Sequence, residues 1–442
     1  MPAAPADSAI YRRLFSDDEV AALFTDSAEI RAMLLVEGAL AQVQGAMGLI
    51  PADAAAFIAR ASREVQIDPS ALAAETARNG VPVPGFLAAF RKAAEAPQMM
   101  QYLHWGATSQ DIMDTALALR LRPMLALWDT RLSSLLAGLA DLAETHAALP
   151  MAARTYGQAA TPTSFGAVVA GWGWPLADAR TRLAPLRADV LKVSLSGAAG
   201  TLSAMGQHGP AVRAALATEL GLSDPGHSWH SDRSAIGQLA AYAAGLAGAL
   251  GKLGEDIILM CQSGIGEIGL GGTGGGSSTM PQKQNPVGPS VLVALARHVI
   301  GLAALVQGAA IHRQQRDGTA WFGEWLSLPQ LCICTGRMLS LAQETIANLV
   351  PNPAAMAAGL EADHGLIHAE ALSFALAEQM PRPQAQAIVK DLCQDAVASG
   401  THLLTLALAR FPDANWHGDL AAHSLGQSLA EALTFAKHAR AD

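Results

Sequence analysis

The chain has 442 residues and a formal net charge of −9, and 51% of its residues are hydrophobic but only 5% aromatic. This length exceeds one ordinary hydrophobic core, and a composition rich in alanine and leucine favours long, closely packed helices over sheets. The acidic balance, without a basic stripe interleaved with aromatic residues, excludes a nucleic-acid-binding protein and requires an anionic substrate to be attracted locally by a few lysines and arginines.

Residues 1–13 contain no basic segment followed by an apolar one, so we expect no secretory signal. The four cysteines lack paired C-x-x-C spacing, which indicates free thiols in a reducing compartment and predicts a cytoplasmic protein. The uncharged stretch 234–251 approaches the length of a membrane span but lacks its density of Leu, Ile and Phe. We therefore expect no membrane partner, and we expect such helices to be buried, in part by other copies of the chain.

Residues 1–110 are predicted to form a small N-terminal helical domain. Asp17 precedes one helical pattern, and Asp26 and Ser27 are candidates to cap a second helix predicted over residues 28–48. That helix is expected to end at its terminal glycine, since a proline follows shortly afterwards.

The segment from His104 to Asp111, HWGATSQD, is predicted to end this domain. Gly106 breaks the preceding helix, and Thr108 and Ser109 can cap a new one, with their hydroxyl groups and the first backbone N–H groups pointing outwards. On spacing alone, an ordinary helix N-terminus and a seat for a carboxylate are equally good interpretations.

Residues 111–353 are predicted to form a central helical bundle, and residues 354–442 a small C-terminal helical domain. Several predicted helices of the bundle exceed 20 residues, or about 30 Å at 1.5 Å per residue. Pro162 is expected to open the second of them. The predicted helices of the bundle span residues 112–148, 162–193, 234–262, 289–311 and 327–349.

The stretch 271–289, GGTGGGSSTMPQKQNPVGP, interrupts this helical pattern. Its glycines let backbone N–H groups converge on an anion, and its prolines prevent a regular helix. Ser277, Lys283 and Asn285 add a hydroxyl group, a positive charge and an amide, which is a set suited to stabilising an oxyanion beside a proton donor or base. The fixed pattern of methionine, prolines, lysine and asparagine argues against a flexible linker.

Two other patterns are weaker. Overlapping G-x-G-x-x-G matches at 264–269 and 269–274 follow a helical pattern and no strand, so we expect no NAD and no other cofactor. His364 and His368 have the spacing of zinc ligands on a predicted helix, but no H-E-x-x-H pattern accompanies them, so no metal is expected.

The stretch 271–289 resembles the signature GSSxMPxKxNP of the fumarase/aspartase superfamily, and every fixed letter of it is present. Residues 104–111 resemble the first motif of that superfamily, H-x-G-x-T-S-x-D, and residues 154–163 resemble its second motif, R-T-H-x-Q-x-A-x-P. The resemblance extends over roughly residues 10–400. It implies an all-α fold with a long central bundle and two small flanking domains, and a homotetramer whose active sites combine motifs from three subunits.

The second motif departs from the superfamily at Tyr156, where lyases acting on C–N bonds have a histidine that protonates the departing nitrogen. A carboxylate needs no such proton, so a member without this histidine is suited to forming or cleaving a bond to a carboxylate oxygen. Residues 229–233, 316–325 and 365–372 resemble segments of the bacterial 3-carboxy-cis,cis-muconate cycloisomerases. This resemblance implies a lactonising cycloisomerase in protocatechuate degradation, acting on a small tricarboxylate.

The resemblance also implies roles for individual residues. Ser277 is expected to deliver a proton to carbon, provided that donors in the loop favour its ionised form, while Lys283 and Asn285 stabilise an aci-carboxylate. Thr108 and Arg316 are among the residues expected to hold or surround the substrate carboxylates. The predicted substrate-binding residues are His104, Thr108, Ser109, Thr155, Tyr156, Gln158, His230, Ser278, Met280 and Arg316.

Two alternatives stay open. One is another lyase of the superfamily, such as adenylosuccinate or argininosuccinate lyase, against which Tyr156 argues. The other is a catalytically silent structural relative, against which the intact set of Ser277, Lys283 and Asn285 argues.

Overall fold

The computed structural model describes residues 5–272, 274–412 and 425–441, and helices dominate this part of the chain, as the composition predicts. The helices are α1 Arg12–Phe15, α2 Asp18–Ala22, α3 Asp26–Ala46, α4 Ala52–Glu64, α5 Ala73–Asn79, α6 Val83–Ala94, α7 Pro97–Met100, α8 Ser109–Thr145, α9 Phe165–Thr181, α10 Leu183–Val190, α11 Gly209–Leu220, α12 Ser234–Met260, α13 Val287–Gly308, α14 Gly318–Ala347, α15 Pro353–Glu361, α16 Ala369–Ala377, α17 Arg382–Ser399, α18 Leu403–Arg410 and α19 Ser428–Arg440. The strands form two antiparallel pairs, β1 Pro150–Thr155 with β2 Gln158–Ser164, and β3 Ile268–Leu270 with β4 Leu349–Pro351.

The chain folds into two compact units, each made of three separate segments. The predicted division into three consecutive domains is a different partition and stays a prediction. Unit 1 consists of Met1–Arg131, Ala179–Gly248 and Ala294–Ser340, and unit 2 consists of Leu132–Asp178, Ala249–Val293 and Leu341–Asp442.

In unit 1, helices α3 and α4 pack closely because small residues lie where they meet. A Cβ atom added at Gly38 would overlap the side chain of Ser62, and one added at Gly45 would overlap Ala55. Large apolar side chains such as Phe86 then fill the core around this helix pair. Small residues thus permit the close helix packing that the composition predicts.

Side-chain caps begin two of the N-terminal helices. The Asp17 carboxylate accepts the backbone N–H three residues on at 2.9 Å, so the predicted cap of α2 is confirmed. The expectation that Asp26 or Ser27 caps α3 is wrong, since both lie inside the helix. Thr25 has the extended backbone that a cap requires, and its hydroxyl oxygen accepts the N–H of Ala28 at 3.2 Å.

The expectation that Pro162 opens a helix is also wrong, because it lies in β2 and α9 begins only at Phe165. Strands β1 and β2 form a hairpin joined by Tyr156 and Gly157, whose φ angles of 51° and 74° are those of a tight two-residue turn. Proline is tolerated there because each strand of a two-stranded sheet has an open edge. The predicted helix over residues 162–193 is replaced by this strand and by α9 and α10.

Two further expectations need correction. Helix α14 begins nine residues earlier than predicted, after Asp317, whose carboxylate accepts the N–H of Thr319 at 2.9 Å. His364 does not lie on a regular helix with His368, since its φ of 58° interrupts the helical conformation there. The helical spacing of zinc ligands is therefore lost.

Helix α13 is long and apolar enough to cross a membrane by length and composition alone, and 56% of its most apolar window is buried within the protein.

Candidate active site

In unit 1 the N-terminus of α8 is organised around the buried carboxylate of Asp111. It accepts backbone N–H groups from Thr108 at 3.0 Å, from Ser196 at 2.8 Å and from Gly197 at 2.9 Å. A carboxylate in the first turn of a helix also interacts favourably with the helix dipole. Asp111 therefore fixes the loop that precedes α8 against the loop at residues 196–197.

Arg316 lies beside this helix terminus and is held by neutral oxygen atoms. Its Nε donates to the Gln110 side-chain oxygen at 3.1 Å, and one terminal nitrogen donates to the Thr108 hydroxyl at 3.3 Å and to the Ala198 carbonyl at 3.0 Å. It forms no ion pair with any carboxylate in the described ranges. A positioned guanidinium whose charge is not neutralised is suited to binding a carboxylate.

A buried ion cluster lies one helical turn into α8. Arg233 donates to Asp114 at 2.8 and 3.1 Å and to Glu324 at 2.9 and 2.6 Å. Burial lowers the pKa of Arg233, but the two carboxylates raise it more, so the guanidinium stays charged. Burial raises the pKa of Glu324 above its ordinary value although Arg233 opposes this. The three side chains are almost completely buried, although Asp114 and Glu324 also border a cavity of unit 1. We interpret the cluster as support for α8.

The two histidines predicted for this site contact buried carboxylates of the protein. His230 is buried, and its Nε2 lies 2.7 Å from Asp111 Oδ1. His104 Nδ1 lies 2.6 Å from the buried carboxylate of Glu37. Burial lowers the pKa of the His104 imidazole, but Glu37 raises it more, so this pKa lies above its ordinary value of 6.5. Both histidines thus support carboxylates of the protein.

In unit 2 the residues 274–286, between β3 and α13, fold back on themselves. The Gly275 carbonyl oxygen accepts both the backbone N–H and the side-chain N–H of Asn285, each at 2.8 Å. Gly276 and Gln284 form a bridge beside this contact. Gly275 has a φ of 74°, and a Cβ atom there would overlap the Asn285 carbonyl oxygen, so this position requires glycine.

The Ser277 hydroxyl oxygen accepts two backbone N–H groups, from Met280 at 3.1 Å and from Thr279 at 3.3 Å. Such donors stabilise negative charge on that oxygen, as the sequence interpretation of Ser277 requires. The Lys283 side chain is exposed and forms no ion pair within the described residues. The exposed Ser278 lies in the same turn. The loop therefore presents a hydroxyl group, amide donors and an unpaired ammonium group.

The hairpin of β1 and β2 carries the remaining predicted residues. Thr155, Tyr156 and Gln158 are exposed, and Tyr156 is fully so. Close to the hairpin turn, Arg154 donates to the buried carboxylate of Glu267 at 2.9 and 2.8 Å. Glu267 immediately precedes β3, so this ion pair joins the hairpin to the strand that leads into the loop.

The structure thus groups the predicted residues into three sets. In unit 1, Thr108 contacts Arg316, Ser109 begins α8, and the two histidines lie below. In unit 2, one set lies in the loop and the other at the hairpin turn. Sequence reasoning missed the structural roles of several residues, because each role depends on a partner distant in the chain. The missed residues are Glu37, Gln110, Asp111, Asp114, Arg154, Ala198, Glu267 and Glu324.

Two cavities accompany these elements. In unit 2, a cavity of about 360 Å³ lies at the base of the loop and is lined in part by Gly275, Asn285 and Thr345. In unit 1, a largely apolar cavity of about 580 Å³ includes Met33 and Trp321 in its lining, and none of the predicted site residues lines it.

The chain is similar to known enzymes over most of its length. A family of proteins described as lyases matches residues 12–301. The 3-carboxy-cis,cis-muconate cycloisomerase of Pseudomonas aeruginosa is 40% identical, over 85% of this chain and 83% of that protein. Nitrosuccinate lyase of Streptomyces davaonensis is 35% identical, over 94% of this chain and 90% of that protein.

Among solved structures, the 3-carboxy-cis,cis-muconate lactonizing enzyme from Pseudomonas putida matches with a TM-score of 0.92 at 33% identity, covering 98% of this chain and 99% of that one. The predicted all-α fold and the resemblance to the fumarase/aspartase superfamily are confirmed. The chain therefore belongs to the lyase family, together with relatives that include the 3-carboxy-cis,cis-muconate cycloisomerases.

Proposed function

We propose that this protein is a lactonising cycloisomerase that converts 3-carboxy-cis,cis-muconate into a carboxymuconolactone in the degradation of aromatic compounds in the cytoplasm. The observation that carries the proposal is the similarity to 3-carboxy-cis,cis-muconate cycloisomerases over most of the chain. The geometry of the loop at Ser277 and of the guanidinium at Arg316 supports it.

The proposed reaction forms a C–O bond within the substrate. A substrate carboxylate oxygen attacks one carbon of a C=C bond, and the electron pair of that bond moves towards the neighbouring carboxylate, which gives an aci-carboxylate. Ser277 then transfers its hydroxyl proton to the carbon that lies between the attacked carbon and that carboxylate. The serine regains a proton from water, so one proton is consumed in each turnover. The two N–H donors to Ser277 stabilise its alkoxide, which is what this proton transfer requires.

The anionic intermediate needs positive charge and hydrogen-bond donors. Lys283 is unpaired in the described part of the chain, and we assign it together with Asn285 to the aci-carboxylate. We assign Arg316, Thr108 and Ser109 to another substrate carboxylate, because among the residues that the structure describes this guanidinium donates only to neutral acceptors.

We further propose that the protein is a homotetramer in which each active site combines the α8 terminus, the hairpin and the loop of different subunits. Tyr156 and Gln158 belong to the second motif, which is proposed to shape the substrate pocket, and yet both are exposed in this chain. Their exposure supports a pocket that other subunits complete. Exposed apolar residues on α13, such as Leu305, support burial by other copies.

The test is to mix the purified protein with 3-carboxy-cis,cis-muconate and to follow the loss of the ultraviolet absorbance of the diene. We expect rapid loss with the wild type and a rate lower by about 10²–10⁴-fold with Ser277→Ala, the range of a general acid. Absence of turnover by the wild type overturns the proposed reaction, and full activity of Ser277→Ala overturns the role of the serine.

A second candidate is the elimination of nitrite from nitrosuccinate. The similarity to a nitrosuccinate lyase over 94% of the chain favours it specifically. Nitrite, like a carboxylate, leaves as a stable anion, so Tyr156 in place of a histidine is compatible with this reaction too. Release of nitrite and fumarate from nitrosuccinate, with no loss of the muconate diene, would establish this candidate in place of the first.

A further inference from the structure

We propose that Gln110 is a positioning residue: it holds Arg316 in place for a substrate carboxylate and leaves the positive charge of Arg316 uncompensated. The inference rests on the proposed function only in assigning Arg316 to a substrate carboxylate. It comes from the hydrogen bonds around the amide of Gln110, which is fully buried.

The surroundings of Gln110 fix the orientation of its amide. Its Nε2 donates to the Asp114 carboxylate at 3.1 Å and to the His230 backbone carbonyl oxygen at 2.9 Å. Neither a carboxylate nor a carbonyl oxygen can donate, so a flipped amide would bring oxygen atoms face to face. The amide oxygen must therefore face Arg316, whose Nε donates to it at 3.1 Å.

Asp114 is itself immobilised. Arg233 binds it through two hydrogen bonds and binds Glu324 through two more, and all three side chains are buried. Separating Arg233 from either carboxylate would leave a buried charge without its partner, so the three side chains are held together. This ion cluster therefore gives Gln110 a rigid anchor from which to present its oxygen to Arg316.

The other two acceptors of Arg316, at Thr108 and Ala198, are also held in place through a buried carboxylate. The backbone N–H of Thr108 and the backbone N–H of Gly197, next to Ala198, both donate to the buried Asp111 carboxylate. Asp111 and Asp114 thus position the groups around the guanidinium. Within residues 5–272, 274–412 and 425–441, the oxygens that accept its hydrogen bonds all belong to neutral groups.

The chemistry explains why an amide suits this position better than a carboxylate. Glutamate at 110 would place a negative charge at hydrogen-bond distance from Arg316, and the two charges would neutralise each other in this partly buried contact. A substrate carboxylate would then have to compete with that internal ion pair. Glutamine supplies the same oxygen without the charge, so the full attraction of Arg316 remains for the substrate.

The experiment measures binding without turnover. Isothermal titration calorimetry with tricarballylate, a saturated tricarboxylate, would compare wild-type protein with Gln110→Glu and Gln110→Met. We expect Gln110→Glu to raise Kd by about tenfold or more, because it compensates the charge of Arg316. Gln110→Met keeps that charge and removes the hydrogen bond to Arg316 together with the two bonds that anchor the amide. Because only one of these three bonds is made to Arg316, Kd should rise by only about threefold.

The control is Gln101→Glu, which adds the same charge at an exposed glutamine of unit 1. Its Kd should stay within about twofold of the wild type, since exposed charges are screened. In steady-state kinetics on the muconate, Gln110→Glu should raise KM much more than it lowers kcat, which is the pattern of lost uniform binding. A purely structural defect would instead reduce the fraction of active protein and lower kcat.

Equal Kd values for Gln110→Glu and the wild type would overturn the inference, as would equal weakening by Gln110→Glu and Gln110→Met. If Gln110→Glu does not fold, the salt dependence of tricarballylate binding replaces it. The affinity of the wild type for tricarballylate should then fall more steeply with salt concentration than that of Arg316→Gln. Equal salt dependences of the two affinities would overturn the inference. Since none of the binding measurements needs turnover, failure to lactonise the muconate leaves this test intact.

Discussion

Lys283 carries a charge that no carboxylate in the described part of the chain neutralises. If it stabilises the aci-carboxylate, Lys283→Met should lower kcat on the muconate by about 10²–10³-fold with a smaller change in KM. Lys390→Met, at an exposed lysine on α17 and outside the loop, should leave kcat within about twofold, since exposed charges are screened. Initial rates of diene loss give both values, and a kcat loss below about threefold in Lys283→Met would contradict the assignment.

His104 gives the stability of the protein a predictable dependence on pH. Its pKa in the folded protein is raised by Glu37, so the protonated ring favours the folded state. This contribution is fully present below the unfolded-state pKa of about 6.5 and is lost as pH rises through the higher folded-state pKa. We therefore expect the thermal midpoint of the wild type to fall relative to that of His104→Gln as pH is raised above 6.5.

The measurement is the thermal midpoint at a fixed protein concentration in buffers from about pH 6 to pH 9, because oligomerisation makes midpoints depend on concentration. Glutamine can still donate a hydrogen bond to Glu37 but does not titrate. Parallel pH profiles for the two proteins would show that the ion pair of His104 with Glu37 contributes no pH-dependent stability.

The sequence predicts the residues that are assigned to the reaction better than the residues that position them. Ser277, Lys283 and Asn285 lie within one short stretch with a recognisable pattern. Gln110 could not be identified in the same way, because its partners Arg316 and the His230 carbonyl are 206 and 120 residues away along the chain. Only the fold brings these groups together.

The loop at 271–289 depends on one backbone contact. Gly275 has a φ of 74°, and a Cβ atom there would overlap the Asn285 carbonyl oxygen, whereas a Cβ atom at Gly274 meets nothing within 4 Å. Gly275→Ala should therefore displace Asn285 and lower kcat by about 10²-fold, the effect of losing one oxyanion donor. Gly274→Ala should keep kcat within about threefold, since it meets no such overlap. Equal activity of the two variants would show that this contact does not set the geometry of the loop.

The hairpin of β1 and β2 depends on the ion pair of Arg154 with Glu267. Glu267 is buried, whereas Arg154 exposes 31% of its side chain. Arg154→Met leaves a buried carboxylate unpaired and should lower the free energy of unfolding by about 2–3 kcal/mol, less than for a fully enclosed pair. Denaturant titration gives this value. The double variant Arg154→Met/Glu267→Met should regain part of the loss, and a double variant as unstable as the sum of the single variants would contradict this account.

Element types were predictable where the apolar pattern was long. Helices α8, α12 and α13 lie close to their predicted ranges because continuous stretches rich in alanine and leucine favour burial as helices. The hairpin was missed because Pro162 follows a short stretch of small residues, and strand pairing there depends on the two-residue turn at Tyr156 and Gly157. The early start of α14 was missed because the glycines and tryptophans after Asp317 hide its amphipathic pattern.

Exposed apolar surface on α13 bears on which chains build one active site. Helix α13 has a mean hydropathy of 1.8 in its most apolar window and yet exposes Ile300 and Leu305 by 47% and 60%. An apolar helix left partly uncovered in one chain favours burial against other copies. The loop and the α8 terminus would then meet across subunits.

Mixing inactive variants tests this arrangement. Ser277→Ala disables the loop, and Arg316→Gln disables the carboxylate seat, so each variant alone should be nearly inactive. If one site takes Ser277 from one chain and Arg316 from another, random reassembly of an equal mixture leaves about a quarter of the sites intact. The mixture should therefore recover about a quarter of wild-type activity after the chains are dissociated and reassembled together.

A matched mixture gives the control. Wild-type chains reassembled with the double variant Ser277→Ala/Arg316→Gln should also keep about a quarter of the activity if the two residues of one site come from different chains. If both residues come from the same chain, this mixture keeps about half of the activity, and the mixture of single variants recovers none. Light scattering before and after mixing establishes that the tetramers re-form, so an inactive mixture reports the composition of the site and not a failure to assemble.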